Sequence, residues 1–179
     1  MDEKLYIKAI KYLTQRPHSE KEVRDYLLGK NKKYSYRKFQ EKETTEEEKE
    51  ERQKILHEKV EAALFKLKQQ KFINDMEFAA WWIEQRSRFK PKGWRVIAME
   101  LKQKGIDKEI IETAHNSDVT TSLPGEKEQA LELVDKRMKK YQGLDRNQLY
   151  QKLGGFLARR GFDLDIIRAC IDEVIKKSV

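Results

Sequence analysis

One pattern of eleven residues occurs twice in the chain and constrains the fold more than any other feature. It runs from Leu101 to Ile111 and again from Leu157 to Ile167: leucine, three residues, glycine, an apolar residue, aspartate, two residues and two isoleucines. The glycine suits the left-handed conformation that ends many helices, and the aspartate suits the N-cap of the next helix. The apolar residue between them can pack on both helices. The pattern therefore predicts a tight corner between two helices, present in two copies.

A second pattern occurs three times and extends the repeat to the start of the chain. Alanine stands seven residues before arginine in segments 9–16, 79–86 and 130–137, with large apolar residues at the fourth and fifth positions. Positions i, i+3 and i+4 lie on one face of a helix, and alanine lets a neighbouring helix approach closely. We therefore predict an all-α protein built from three tandem three-helix repeats.

The first repeat departs from the other two by an insertion. The leucine-to-isoleucine spacing is 10 residues in repeats 2 and 3, but 33 from Leu27 to Val60, which places 23 extra residues between Gly29 and about Glu58. Within the insertion, Asn31–Phe39 is basic and aromatic and has some β character. The predicted domains are repeat 1 at 1–73, repeat 2 at 74–116, a linker at 117–125 and repeat 3 at 126–179.

Capping signals mark the starts of several helices. A serine, threonine or asparagine followed three residues later by glutamate forms a capping box, which satisfies free N–H groups of the first turn. The candidates are Ser19 with Glu22, Thr44 or Thr45 with Glu47 or Glu48, and Asn74 with Glu77. The second of these heads an acidic segment, 41–51, that predicts a solvated start of a long third helix in repeat 1.

The composition favours thin layers of packing and a charged surface. Charged residues make up 39% of the chain and hydrophobic residues 38%, which suits an elongated array of small units better than one large core. The net charge of +8 and the pI near 9.4 favour a polyanionic partner such as nucleic acid or an acidic protein surface. The alternative is that a highly charged helical protein carries this sign for solubility alone.

The side chains that carry most enzyme chemistry are scarce. His18, His57 and His115 are isolated from other metal-ligand types, and such a histidine near a helix end is usually a surface or capping residue. Cys170 lies on the apolar stripe of the last helix, where a small buried hydrophobe is expected rather than a nucleophile. None of the eight glycines belongs to a phosphate-cradling loop. We therefore expect a non-enzymatic protein with no catalytic residue, no metal and no cofactor.

The same inventory bears on the cellular compartment. A single cysteine permits no intramolecular disulfide, which fits a reducing environment. Charged residues are scattered through the first 15 positions, so a signal-peptide core is not expected. No segment approaches the roughly 18–20 apolar residues of a membrane span. We expect a cytoplasmic protein with no membrane partner.

Basic residues cluster around the ends of the first and second helices of repeats 2 and 3. Equivalent edges of tandem repeats would then form a basic stripe able to bind a polyanion, whereas the alternative is ordinary solvated helix ends, where cations are favourable. Trp94 could be a contact residue, but its place on the Ile97/Leu101 stripe favours the core. The predicted partner- or DNA-binding residues are Arg86, Arg88, Lys90, Lys92, Arg95, Lys102, Lys152, Arg159 and Arg160.

Several short motifs, in a fixed order, resemble one protein family. They are Tyr12-Leu13-Thr14-Gln15-Arg16-Pro17-His18-Ser19 with Glu22-Val23, Ile73-Asn74-Asp75 with Phe78-Ala79, Arg86 with Lys92-Gly93, Glu100-Leu101 with Lys104-Gly105-Ile106, and Phe156-Leu157-Ala158-Arg159-Arg160-Gly161-Phe162-Asp163 with Ile166. Together they resemble the RecX family, bacterial regulators of the RecA recombinase. The resemblance implies a curved array of three three-helix repeats without catalytic residues or cofactor.

The resemblance also implies a partner and an activity. Family members bind RecA, insert along the groove of the RecA–single-stranded DNA filament, and block filament extension or promote disassembly. ATP hydrolysis and strand exchange by RecA fall as a result. The insertion in repeat 1 departs from the family and leaves open how that repeat docks.

Two alternatives remain beside this interpretation. The chain could be a stand-alone nucleic-acid-binding module that holds single- or double-stranded DNA without sequence preference. The third helix of repeat 2 is rich in isoleucine and in acids (Asp107, Glu109, Glu112), so it is a poor reader of a DNA groove. The other alternative is an adaptor for a different protein that uses Asn31–Phe39 as its contact. In each case we expect a monomer.

Overall fold

The computed structural model of this chain describes residues 2–30, 45–141 and 143–177. Every regular element in these ranges is a helix, which confirms the all-α prediction. The prediction for Asn31–Phe39 falls outside the described residues. The helices are α1 (Glu3–Leu13), α2 (Glu20–Leu27) and α3 (Glu46–Gln69), then α4 (Asp75–Phe89), α5 (Trp94–Gln103) and α6 (Lys108–His115), and finally α7 (Asp118–Thr121), α8 (Glu126–Met138), α9 (Arg146–Arg159) and α10 (Leu164–Lys177).

The helices form the three predicted three-helix repeats with two additions. The short helix α7 lies in the segment predicted as a linker. The helix α3 begins 14 residues before Val60, whereas α6 begins three residues before Ile111. Part of the repeat 1 insertion therefore forms extra turns at the start of α3, where the Thr45 capping box is present and the acidic first turn is exposed, as predicted.

Two compact units make up the chain. The first comprises Met1–Phe78 with Lys104–Ile106, and the second comprises Ala79–Gln103 with Asp107–Val179. In the first unit α1, α2 and α3 pack around a core that includes Tyr12, Val23, Leu27, Val60 and Leu64. In the second unit α8, α9 and α10 enclose the larger apolar cluster of repeat 3. The repeated alanines Ala9, Ala79 and Ala130 are all 0% exposed, which confirms their predicted place between helices.

The two predicted corners have the expected backbone. Gly105 and Gly161 adopt the left-handed conformation, with φ of 82° and 88°, and the apolar residues that follow them, Ile106 and Phe162, are buried. The predicted cap at Asp107 is wrong in one respect. Asp107 occupies the N-cap position of α6, but its side chain makes no capping hydrogen bond. Because Asp107 is exposed, water can solvate both its carboxylate and the first-turn N–H groups.

Each corner contacts the start of the second helix of the preceding repeat. In the first unit the Ser19 hydroxyl donates a hydrogen bond to the Lys104 carbonyl oxygen at 2.7 Å. In the second unit the Gly93 N–H donates to the Arg160 carbonyl oxygen at 2.9 Å. Ser19 and Gly93 both immediately precede a second helix, and Lys104 and Arg160 both immediately precede a corner glycine. The same junction between repeats therefore occurs once in each unit.

Glu22 anchors the first of these junctions. Its carboxylate accepts hydrogen bonds from Arg16 at 3.0 Å, from His18 Nδ1 at 3.3 Å and from the Lys104 ammonium group. Burial opposes ionisation, but the hydrogen bonds from His18, Arg16 and Lys104 outweigh it and hold the pKa of Glu22 well below its usual range. His18 is buried and stacks on Tyr12 at 3.8 Å. The expectation of a surface histidine is therefore wrong for His18, because the ring completes this polar cluster.

The Glu22 cluster should give the first unit a specific acid sensitivity. A carboxyl group whose pKa is lowered by folding contributes stability above its unfolded pKa, near 4.5, and loses that contribution as the pH falls below it. We expect Glu22→Gln to lower the free energy of unfolding by about 2 kcal/mol at neutral pH. Urea unfolding of the wild type and the variant at pH 7, 4.5 and 3 measures the difference, which should narrow below pH 4.5. A difference that stays constant with pH, or one reproduced by Glu58→Gln at an exposed position of α3, would contradict this assignment.

Candidate partner and nucleic-acid interface

The nine predicted basic residues divide into two groups by their surroundings. Three are partly buried and make intramolecular contacts: Arg86, Lys92 and Arg160. Six are exposed: Arg88, Lys90, Arg95, Lys102, Lys152 and Arg159. Of the exposed six, Arg88 pairs with Glu84 at 2.9 Å. The other five have no carboxylate partner among the residues that the structure describes, so they can bind an anion without first breaking an ion pair.

Glu100 forms ion pairs with two of the three partly buried cations, Arg86 and Lys92. Its carboxylate accepts a hydrogen bond from Arg86 Nε at 2.6 Å, one from the Lys92 ammonium group and one from Trp82 Nε1 at 3.0 Å. The Arg86 guanidinium also lies over the Trp82 ring at 4.1 Å. Burial opposes ionisation of Glu100, but hydrogen bonds from Lys92 and Arg86 outweigh it and lower its pKa. Arg86 and Lys92 therefore hold α4, α5 and the turn between them together.

Repeat 3 keeps the arginine of this arrangement and lacks the carboxylate. Phe156 precedes Leu157 as Glu100 precedes Leu101, so an aromatic ring replaces the carboxylate. The guanidinium of Arg137, the counterpart of Arg86, lies over the Phe156 ring at 3.8 Å, and that of Arg160 lies over it at 4.8 Å. Arg160 also donates to the Pro91 carbonyl oxygen at 2.9 Å. Within the described ranges neither arginine has a carboxylate partner.

Arg137 was absent from the predicted contact residues, although the sequence contained the signal for it. Aligning the three alanine-to-arginine segments places Arg137 opposite Arg86, and aligning the two corners places Phe156 opposite Glu100. Taken together, the two alignments show that repeat 3 has a phenylalanine at the position of the glutamate that pairs with Arg86 in repeat 2. The structure brings Arg137 and Arg160 to the same ring. Burial, and then the positive charge of Arg137, lower the pKa of Arg160.

The cavity nearest to these arginines gathers three of the predicted residues. Arg88, Lys90 and Arg160 line it together with Lys136. The other predicted residues do not line this cavity.

Trp94, predicted to favour the core, is half-buried and stacks on His115 at 3.7 Å. Among the described residues no group of three or more histidine, cysteine, aspartate or glutamate side chains could hold a metal ion. No helix in the same ranges is both long enough and apolar enough to cross a bilayer.

Comparisons with known families match the chain in three successive parts. The model of the first three-helix domain of RecX matches residues 6–31, that of the second matches 74–114, and that of the third matches 125–171. The three matches occur in family order and together cover more than half of the chain. The predicted insertion, between Gly29 and about Glu58, lies mostly in the interval between the first and second matches.

Curated relatives and solved structures agree with these matches. The chain is 31% identical over 174 residues to the Regulatory protein RecX of Bacillus cytotoxicus, covering 96% of this chain and 54% of that protein. It is 29% identical over 167 residues to the Regulatory protein RecX of Bacillus subtilis, covering 93% of this chain and 53% of that protein. The chain thus spans about half the length of these curated relatives.

The crystal structure of RecX from Lactobacillus salivarius has the same fold. Its TM-score is 0.66 at 24% identity, over 96% of this chain and 94% of that one. A second crystal structure of regulatory protein RecX also gives a TM-score of 0.66 at 24% identity, over 95% of this chain and 72% of that one. The three domain models match in the order of the family, and the curated relatives and the three-helix repeats agree with them. The chain therefore belongs to the RecX family.

Proposed function

We propose that this chain binds the RecA recombinase and RecA–single-stranded DNA filaments and inhibits recombinase activity. Filament extension, ATP hydrolysis and strand exchange would fall, and DNA repair and recombination in the cytoplasm would be modulated. The observation that carries the proposal is the match of all three RecX domains in order. The exposed, unneutralised cations of repeats 2 and 3 support it, because they suit an acidic groove and nearby phosphates.

The mechanism that we propose is steric and electrostatic, without catalysis. The exposed cations (Arg88, Lys90, Arg95, Lys102, Lys152 and Arg159) attract the chain to the nucleoprotein filament, and its helical body then occupies space that adjacent filament subunits need. Arg86, Lys92 and Arg160 act through position, since they hold the turns that present the exposed residues.

A second candidate function is sequence-independent binding to nucleic acid alone. The net charge of +8 favours it, as do the five exposed cations without a carboxylate partner. Such binding would consist mainly of phosphate contacts and would weaken steeply as the salt concentration rises.

One experiment separates the two candidates. RecA is assembled on single-stranded DNA, the protein is added, and ATP hydrolysis is followed beside a titration of the protein on the same DNA without RecA. We expect inhibition at protein concentrations well below that of RecA, with weak binding to bare DNA. Tight binding to bare DNA with unchanged RecA turnover would refute filament regulation and favour the second candidate.

A further inference from the structure

The cavity beside Arg160 is lined by more cations than carboxylates. It has a volume of about 510 Å³ and lies wholly within the second unit, between the end of α4 and the helix α8. This volume falls in the range of small-molecule sites. Four cations and one carboxylate line the cavity, namely Arg88, Lys90, Lys136, Arg160 and Glu132.

Two of the cations form weak ion pairs, and the other two have no carboxylate partner among the described residues. Arg88 pairs with the partly exposed Glu84, and Lys136 pairs with Glu132 at 3.3 Å, and both cations are exposed. Exposed pairs of this kind contribute little and exchange readily with an incoming anion. Lys90 and Arg160 pair with no described carboxylate. The wall therefore carries more positive charge than the protein itself neutralises.

Arg160 has a further reason to bind an anion. Burial, and then the neighbouring charge of Arg137, lower its pKa, so the folded protein holds two guanidinium groups close together at an electrostatic cost. Both groups lie against the Phe156 ring, which stabilises cations only modestly. An anion beside Arg160 would relieve the repulsion between these two guanidinium groups.

An exposed aromatic ring stands at the same cavity. Phe89 follows Arg88 at the end of α4, lines the cavity and is 71% exposed, more than any other large hydrophobic side chain that the structure describes. Packing of the repeats does not require it, because the ring is mostly outside the core. Aromatic faces next to cations suit ligands that join a planar base to a phosphate. A simple carboxylate ligand would leave this ring unused.

We propose that this cavity binds a nucleotide phosphate, held by Lys90, Arg160 and the neighbouring cations, with the attached base stacked on Phe89. The phosphate can belong to a free nucleotide or to a nucleic-acid strand, and both present the same chemistry. Arg88 and Lys90 also belong to the proposed contact with the filament, but binding of a nucleotide needs no second protein and is tested without RecA.

Calorimetric titration of the purified protein at low salt tests the proposal. The ligands are AMP, adenosine, inorganic phosphate and a short single-stranded oligonucleotide without a terminal phosphate. We expect AMP to bind at least about 10-fold more tightly than adenosine, because adenosine lacks the charge-assisted contacts. Inorganic phosphate should bind more weakly than AMP, because it lacks the stacked base. Competition between AMP and the oligonucleotide identifies the source: displacement of AMP by the oligonucleotide assigns the site to a strand, and its failure assigns it to a free nucleotide.

Variants at exposed positions connect the binding to this cavity. Phe89→Ser should weaken AMP binding about 5-fold or more through the loss of stacking, and Lys90→Gln should weaken it through the loss of one phosphate contact. Lys54→Gln, on α3 and outside the cavity, is the matched control and should leave AMP binding unchanged. Arg160→Gln should abolish binding, and circular dichroism shows whether that variant is folded. Equal affinity for AMP and adenosine, unchanged binding by both Phe89→Ser and Lys90→Gln, or binding of poly-glutamate in preference to AMP would each overturn the proposal.

Discussion

Replacement of Gly93 with alanine should strongly destabilise the second unit. A Cβ atom at this position would lie 2.1 Å from the Gly161 carbonyl oxygen, 2.3 Å from its carbonyl carbon and 2.5 Å from the Phe162 nitrogen. All three atoms belong to the backbone, so no side-chain rotation can relieve the overlap. The Gly93 N–H bond to the Arg160 carbonyl oxygen would also be lost. We expect the free energy of unfolding to fall by about 3 kcal/mol or more.

Thermal unfolding followed by circular dichroism measures this effect. For a chain of this size about 3 kcal/mol corresponds to a decrease in Tm of roughly 6–12 °C. Gly154→Ala is the matched control, because a Cβ there would meet Ile167 and Ile171 at 3.7 and 3.8 Å, which is ordinary contact. Alanine also favours the helix by about 1 kcal/mol over glycine, so Gly154→Ala should leave Tm unchanged or raise it. Equal stability of the Gly93→Ala and wild-type proteins would mean that Gly93 does not contact the corner at Gly161.

The contrast between these glycines shows which features of the fold a sequence can predict. Gly105 and Gly161 were predicted because each ends a helix within a local pattern, and their positive φ confirms that prediction. The role of Gly93 was not predictable in the same way. Gly93 contacts the backbone at Gly161, 68 residues away in the sequence. No pattern of side chains around either glycine predicts this contact. Local geometry is encoded in adjacent residues, whereas a close backbone approach between repeats becomes visible only in the folded chain.

The same limit applies to the basic residues. Counting charge along the sequence predicted where cations are abundant, and six of the nine are exposed as a binding surface requires. Counting could not show that Arg86 and Lys92 converge on the single carboxylate of Glu100, because one acid among many cations appears as a minor member of the cluster. Ion pairing depends on where side chains meet, and the turn after α4 brings these three together. The exposed group is therefore the better set for testing the interface.

Reversal of three exposed cations should abolish inhibition of RecA at concentrations where the wild type is effective. The test variant changes residues that lie outside the cavity and make no ion pair with a described carboxylate: Arg95→Glu, Lys102→Glu and Lys152→Glu. Each reversal replaces attraction to an acidic groove or a phosphate with repulsion. We expect the concentration needed for half-inhibition of ATP hydrolysis to rise at least about 10-fold, and the salt dependence of inhibition to become shallower.

A control variant with the same change in net charge distinguishes the effect of where the reversed residues lie from the effect of the net charge itself. It places the same three reversals, one of arginine and two of lysine, at exposed positions of repeat 1 on α1 and α3: Lys11→Glu, Arg52→Glu and Lys54→Glu. If total charge alone steers the protein to the filament, both variants lose inhibition equally and the assigned interface is wrong. If the exposed cations of repeats 2 and 3 form the contact, only the first variant fails, while AMP binding at the Phe89 cavity persists in both. Lys92 is excluded from the test because its reversal would break the pair with Glu100 and confound loss of contact with loss of structure.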